Sequence, residues 1–158
     1  MSASETTTPK PDGLRWIPAL VLALAFAFRL LHLGGPLDIP DWRQGDTGYM
    51  ALRMAGEWPP DLLHPKAPYR GAIDVKAAEF PIYPALVSLV YRAAGGETLP
   101  GARVVTLLFF AGALLYFHAT VRRLLGPEVA LHAAAVYAVL PLGIPYSRMI
   151  HPDFCIIF

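Results

Sequence analysis

Cysteine is nearly absent from this chain. Cys155 is the only one in 158 residues, which excludes an intramolecular disulfide framework and any Cys-based metal cluster. Charge is scarce as well: 16% of residues are Asp, Glu, Lys or Arg, against about 25% in an ordinary soluble domain. The net charge is +1 and no basic run stands out, so neither a global nor a local field points to nucleic acid. No Gly-rich phosphate loop and no Ser/His/Asp signature is present. His64, His118, His132 and His151 are scattered, with no His-x-x-x-His pair for a metal.

What the chain has instead is apolar mass, 55% of residues, concentrated in blocks as membrane spans are. Residues 1–15 are polar and rich in Thr, Ser and Pro, and read as a disordered cytoplasmic tail. Residues 16–158 read as an all-α integral membrane domain. Its first span is expected at Trp16–Leu33, with Pro18 in the first turn, where its missing N–H is harmless, and Gly34-Gly35-Pro36 at the end. A signal peptide is the competing reading. The length of the apolar run, Arg29 near its end and the lack of a small-x-small cleavage site favour an uncleaved span. Two more spans are expected at Val104–Val121, closed by Arg122-Arg123, and at Val129–Tyr146, whose last turns Pro141 and Pro145 should kink. The closing run Phe154–Phe158 opens a fourth span without finishing it, so the chain reads as the N-terminal piece of a longer polytopic protein.

Between the first two of these spans lies a long outer loop, residues 34–103, dense in charge and aromatics. Thr47–Ala55 has helical spacing, with Tyr49, Leu52 and the stem of Arg53 on one face. Pro59, Pro60, Pro65 and Pro68 argue against regular structure after it. Phe80–Ala94 is apolar but short, and an apolar stretch of about 10–14 residues belongs in the interface and not across the bilayer. Three crossings then put the tail and Arg122-Arg123 on one face, Asp46 and Asp153 on the other. Lys10, Arg15, Arg122 and Arg123 obey the positive-inside rule in this arrangement; Arg43, Arg53, Lys66, Arg70 and Lys76 count against it.

Chemistry-bearing residues cluster on the outer side. Asp46, in Asp41-Trp42-Arg43-Gln44-Gly45-Asp46-Thr47, is a candidate general base and equally a candidate N-cap for the helix that follows it. Trp42 also fits an interfacial aromatic belt. Asp153, in Ser147-Arg148-Met149-Ile150-His151-Pro152-Asp153, could join Asp46 on one face, or it and Arg148 could merely pair or snorkel. Loop arginines and lysines suit a phosphate at the membrane surface, by bidentate forks or as point charges, and equally suit anionic headgroups. Arg29 and His32 could snorkel from the end of the first span, although a charge inside a membrane is a functional candidate by default. Glu79 with His64 or His151 would bind a metal only if the fold gathers them.

These pieces together resemble the membrane glycosyltransferases of the GT-C class, in particular the family of protein O-mannosyltransferases and lipid A aminoarabinose transferases. The resemblance rests on the Asp41–Thr47 run after the first span, Glu79-Phe80-Pro81-Ile82-Tyr83-Pro84 opening the interfacial segment, Arg103 at the start of a span, Arg122-Arg123-Leu124-Leu125-Gly126 at its end, and Pro141 through Ser147-Arg148 to Pro152-Asp153, in the family's order. It implies an enzyme of the inner (plasma) membrane that moves a sugar from a polyprenyl-phosphate carrier to a glycan, lipid or protein acceptor at the outer face, with inversion. It implies Asp46 as catalytic base and Asp153 as a second carboxylate, with Arg43, Arg70, Lys76 and Arg148 toward the donor phosphate. Many relatives carry Asp-Glu where this chain has Asp46-Thr47. No nucleotide cofactor is implied; a divalent metal is left open, with Glu79 and His151 as its candidates. The alternative is a non-enzymatic polytopic protein, a transporter or assembly subunit, whose outer loop binds carbohydrate or lipid. Its intramembrane polar residues would then line a path.

Overall fold

The computed structural model describes residues 16–31, 33–35, 42–69, 72–75 and 80–157. Arg70, Lys76 and Glu79, together with His32 and residues 1–15, lie outside the described residues. The chain is mostly helical, in the order α1 (Ile17–Leu30), α2 (Trp42–Gly56), β1 (Lys66–Tyr69), β2 (Ala72–Val75), α3 (Ile82–Ala94), α4 (Leu99–Leu125), α5 (Pro127–Ala138), α6 (Gly143–Tyr146) and α7 (Asp153–Ile157).

Among the described residues, α4 is the one helix long and apolar enough to cross a membrane; α1 and α3 are shorter apolar helices. Its 27 residues make about 40 Å of helix. Thr98 caps its start, its hydroxyl accepting from the Gly101 N–H at 3.4 Å. At Gly101 α4 packs tightly against α3, because a Cβ there would stand 2.7 Å from Val90 Cγ1. At the far end Gly126, at φ 91°, turns the chain directly into Pro127 at the first position of α5. Its backbone angle is one that side chains rarely adopt.

The other two expected spans are helical over less of their length. Helix α1 covers 14 residues, and α5 stops at Ala138 after 12. The kink assigned to Pro141 and Pro145 is a full break that begins upstream of both. Pro141 has no N–H to continue the ladder and restricts Leu140 away from helical angles. The chain resumes helical turns only as α6.

Two apolar clusters hold these helices. Phe110 of α4 is the hub of the first, fully buried with Ala25, Leu107, Leu114, Ala134, Ala138 and Phe154. Its ring meets Phe154 edge-on at 5.2 Å, stacks on Tyr137 at 6.1 Å and touches Phe26 at 5.7 Å. The second joins α2, α3 and α4 through Ala51, Tyr83, Val87, Tyr91, Ala102, Val105 and Ile150. Helix α3 buries Tyr83, Val87 and Tyr91 at i, i+4, i+8 and leaves Phe80, Ile82, Leu86 and Leu89 exposed, a one-sided pattern over 13 residues.

Two local expectations are corrected here. The prolines do not prevent structure after residue 59: β1 and β2 form an antiparallel ribbon with Lys66 opposite Val75 and Tyr69 opposite Ala72. A two-stranded ribbon is all edge, so Pro68 can sit in it with no ladder donor to lose on its outer side. Helix α2 buries Gln44, Thr47, Gly48, Ala51 and Met54 and not the Tyr49–Leu52–Arg53 face, of which Leu52 is exposed. Ala51, fully buried, packs with Tyr83, Val87 and Tyr91 of α3, whose tyrosines supply the bulk.

Candidate active site

Asp46 does not cap a helix. Helix α2 begins at Trp42, which places Asp46 about one turn inside it, with Arg43 on the preceding turn. Between them Gln44 is buried and its Oε1 accepts the Ile150 N–H at 3.2 Å. That bond sets the first turn of α2 against the segment Ser147–Asp153. Asp46 and Asp153 therefore belong to directly touching segments, although the bonded pair Gln44 and Ile150 stand 106 positions apart in sequence.

The Ser147–Asp153 segment lacks regular structure apart from its last residue, and its polar groups are satisfied by side chains from three helices. Thr106 of α4 donates its hydroxyl to the Met149 carbonyl at 2.7 Å. Its one hydrogen is thereby used, so Tyr83 of α3 must be the donor in the 2.7 Å contact with Thr106 Oγ1. The Ala102 carbonyl, 3.2 Å from the same phenol, is the longer second acceptor. Ser147 donates to the Ile144 carbonyl at 2.9 Å and accepts from Arg29 Nε of α1 at 2.8 Å.

Burial raises the Tyr83 phenol far above its ordinary range. The sign follows directly: a raised folded value favours the neutral donor, so its contribution is complete below the unfolded value near pH 10 and fades above it. Tyr83→Phe should cost about 0.5–1.5 kcal/mol and flatten that alkaline loss, measured as thermal stability between pH 8 and pH 11. Equal alkaline sensitivity in the two proteins would remove Tyr83 from the account.

His151 is buried, and its Nδ1 lies 2.8 Å from Asp153 Oδ1, whose side chain is 37% exposed. The ring edge of His151 also meets Tyr146 at 6.0 Å. Asp153 thus pairs with His151 and presents its carboxylate partly to solvent. Arg148 turns the other way: its Nη1 donates to the Leu31 carbonyl at 3.3 Å, closing the end of α1. The expected alternative, that Arg148 and Asp153 pair with each other, is corrected by these two contacts. Arg29 does not snorkel either. It is fully buried, over the Phe110 ring at 4.3 Å.

Of the residues assigned to a phosphate, Arg43 lies beside Asp46 on α2, and Arg148 in the facing segment is tied to α1; Arg70 and Lys76 are not described. Among the described residues no group of three His, Cys, Asp or Glu is placed to hold a metal ion, and Glu79 lies outside them. At the opposite end of α2, Met54, Glu57, Pro59, Asp61, His64, Pro65 and Lys66 line a cavity of about 220 Å³. Its charges satisfy one another. Glu57 pairs with Arg53 and with Lys66 at 3.4 Å, and Asp61 accepts the Leu63 and His64 N–H groups, which lower its pKa.

Sequence reasoning missed Gln44, Tyr83, Thr106 and Ser147 as the groups that build the site. Each is an uncharged polar residue in an apolar or helical context, and only the partner across the fold gives it a role. Compared with protein-family models, with curated proteins and with solved structures, the chain gives no match.

Proposed function

We propose that this chain is part of a polytopic membrane glycosyltransferase of the GT-C kind, transferring a sugar from a polyprenyl-phosphate carrier to an acceptor at the outer membrane face. The observation that carries the reading is the Gln44–Ile150 contact. It brings the segment bearing Arg43 and Asp46 against the one bearing His151 and Asp153. Two carboxylates and an arginine from separate loops are what a proton-removing, phosphate-releasing site requires.

In this reaction Asp46 takes the proton of the acceptor hydroxyl or amine as its oxygen or nitrogen attacks the anomeric carbon. The bond from that carbon to the phosphate oxygen breaks on the opposite side, which inverts the centre. The polyprenyl phosphate leaves with the electron pair, and Arg43 offsets its charge by a forked contact. The leaving group is already a phosphate, so no nucleotide takes part.

Membrane placement is supported by large apolar side chains that the fold leaves uncovered along α1 (Leu20, Leu24, Phe28), α4 (Leu108, Leu115, Tyr116) and α5 (Val129, Val136). Soluble monomers rarely expose so much contiguous apolar surface. In the proposed topology α1, α4 and the broken α5–α6 segment cross, α3 lies in the interface, and Arg122-Arg123 face the cytoplasm. Gly45→Cys and Tyr146→Cys, at the outer end of the crossing, each in a Cys155→Ser background, should then react with an impermeant thiol reagent from one side, and Arg123→Cys only from the other. Labelling of Gly45→Cys and Tyr146→Cys from opposite sides would overturn the shared site.

The activity itself is tested by supplying the full-length protein in lipid nanodiscs with a radiolabelled polyprenyl-phosphate sugar. Label should leave the carrier with release of polyprenyl phosphate. Binding of the donor without release at any acceptor would instead favour a non-enzymatic carbohydrate- or lipid-binding protein.

A further inference from the structure

The buried guanidinium of Arg29 bonds three separate parts of the chain. Its Nη1 donates to the Ala25 carbonyl of its own helix at 3.0 Å. Its Nη2 donates to the Ala138 carbonyl at 2.7 Å, the last residue of α5, where the helical ladder stops. Its Nε donates to Ser147 Oγ at 2.8 Å, at the start of the segment that ends in Asp153. The face of the group lies on the Phe110 ring. One side chain from α1 thus spans the whole break between α5 and the Ser147–Asp153 segment.

A break of this kind is costly inside an apolar environment. The carbonyls that α5 would have used continue to need donors, and only a protein group can supply them there. Lysine could satisfy one acceptor, but it lacks the rigid fork that reaches two at once. We propose that Arg29 is a positioning residue, a latch from the first helix that fixes where the Ser147–Asp153 segment sits against α2. The segment has further restraints in Thr106 and Gln44, which hold its middle. Arg29 holds its entrance. The consequence for catalysis rests on the transferase reading; the latch itself does not.

The chain carries its own reporter. Cys155, half-buried on α7, packs against the cluster of α2, α3 and α4 directly after the latched segment. Its rate of labelling by a small thiol reagent in nanodiscs measures how often that segment opens. Arg29→Met should raise the rate at least about tenfold, and Ser147→Ala by up to about tenfold, from the loss of hydrogen bonds to a charged group. The double variant should label no faster than Arg29→Met, because both changes undo one latch. Arg29→Lys should label faster than wild type, since it keeps the charge but not the bridge. Arg122→Met, at the far end of α4, should leave the rate unchanged.

Wild-type labelling in both Ser147→Ala and Arg29→Lys would overturn the latch, and these milder variants decide the matter if Arg29→Met does not accumulate. Fast labelling in Arg29→Met with full rescue by Arg29→Lys would overturn it too, because charge alone would then suffice. Labelling needs neither donor nor acceptor, so it is separable from any failure of the transferase reading. If transfer is observed, Arg29→Lys should lower kcat by up to about 100-fold, as a misplacement of about 1 Å does, with donor KM unchanged. A lost binding contact would move KM.

Discussion

Asp46→Asn lowers the rate of sugar transfer by about 10²–10⁴-fold, the ordinary contribution of a positioned general base. The variant is chosen because asparagine has nearly the shape of aspartate and keeps an acceptor oxygen, but cannot take up a proton. Asp46 sits about one turn inside α2, beyond the capping position, so the helix does not depend on its carboxylate to begin. Insertion, folding and donor binding should therefore persist, and the loss should fall on kcat. Transfer by Asp46→Asn at the wild-type rate would take Asp46 out of the mechanism. Asp153→Asn makes a useful companion, because its carboxylate is held by His151 and its loss should disturb the segment locally without removing the base.

Phe110→Ala destabilises the chain by about 3–5 kcal/mol, the usual cost of deleting a buried phenylalanine and leaving its cavity. The expected value lies toward the top of that range. Four neighbours lose their packing surface together: Phe26, Tyr137, Phe154 and the guanidinium of Arg29. They come from three different helices, α1, α5 and α7, which cannot all move inward to fill one void. Phe110→Leu, which keeps most of the volume, should cost much less. Denaturation monitored by retained helical signal in detergent gives the comparison. Equal loss in the alanine and leucine variants would mean that Phe110 is not the hub of its cluster.

The helical character of the chain and the short apolar segment Phe80–Ala94 were legible in the sequence because both rest on local quantities, apolar content and run length. That segment forms α3, a helix of 13 residues, whose one-sided burial emerges only in the fold. The break after Ala138 was half legible. Pro141 and Pro145 announced an irregularity, but its start depends on Arg29 accepting the task of satisfying the Ala138 carbonyl, a partner 109 positions away. The buried face of α2 was misjudged for a similar reason. Ala51 carries little hydrophobic signal of its own, and it is buried because it packs with the rings of Tyr83 and Tyr91 across the fold. Of the site, the two acidic segments could be named from their residue types. Their juxtaposition could not, because it turns on Gln44, an uncharged residue whose one informative bond lies across the fold.

Helix α4 has a further consequence, as a depth gauge. Arg103 donates to the Leu33 and Gly35 carbonyls at 2.7 Å each near its start, and Arg122 stands in its last turn. The nineteen steps between them measure about 28 Å of helix, close to the roughly 30 Å of a bilayer's hydrocarbon. In a membrane, two arginines at that separation place one guanidinium in each headgroup layer and leave α4 little freedom to slide or tilt. Thr106 lies three residues from Arg103, so the Met149 carbonyl that it holds is anchored only about 5 Å below that layer. On the proposed transferase reading, the site then rests at the depth of a lipid's phosphate, where a donor anchored by a polyprenyl tail would present its sugar without being lifted from the membrane and a water-borne acceptor would meet it without entering.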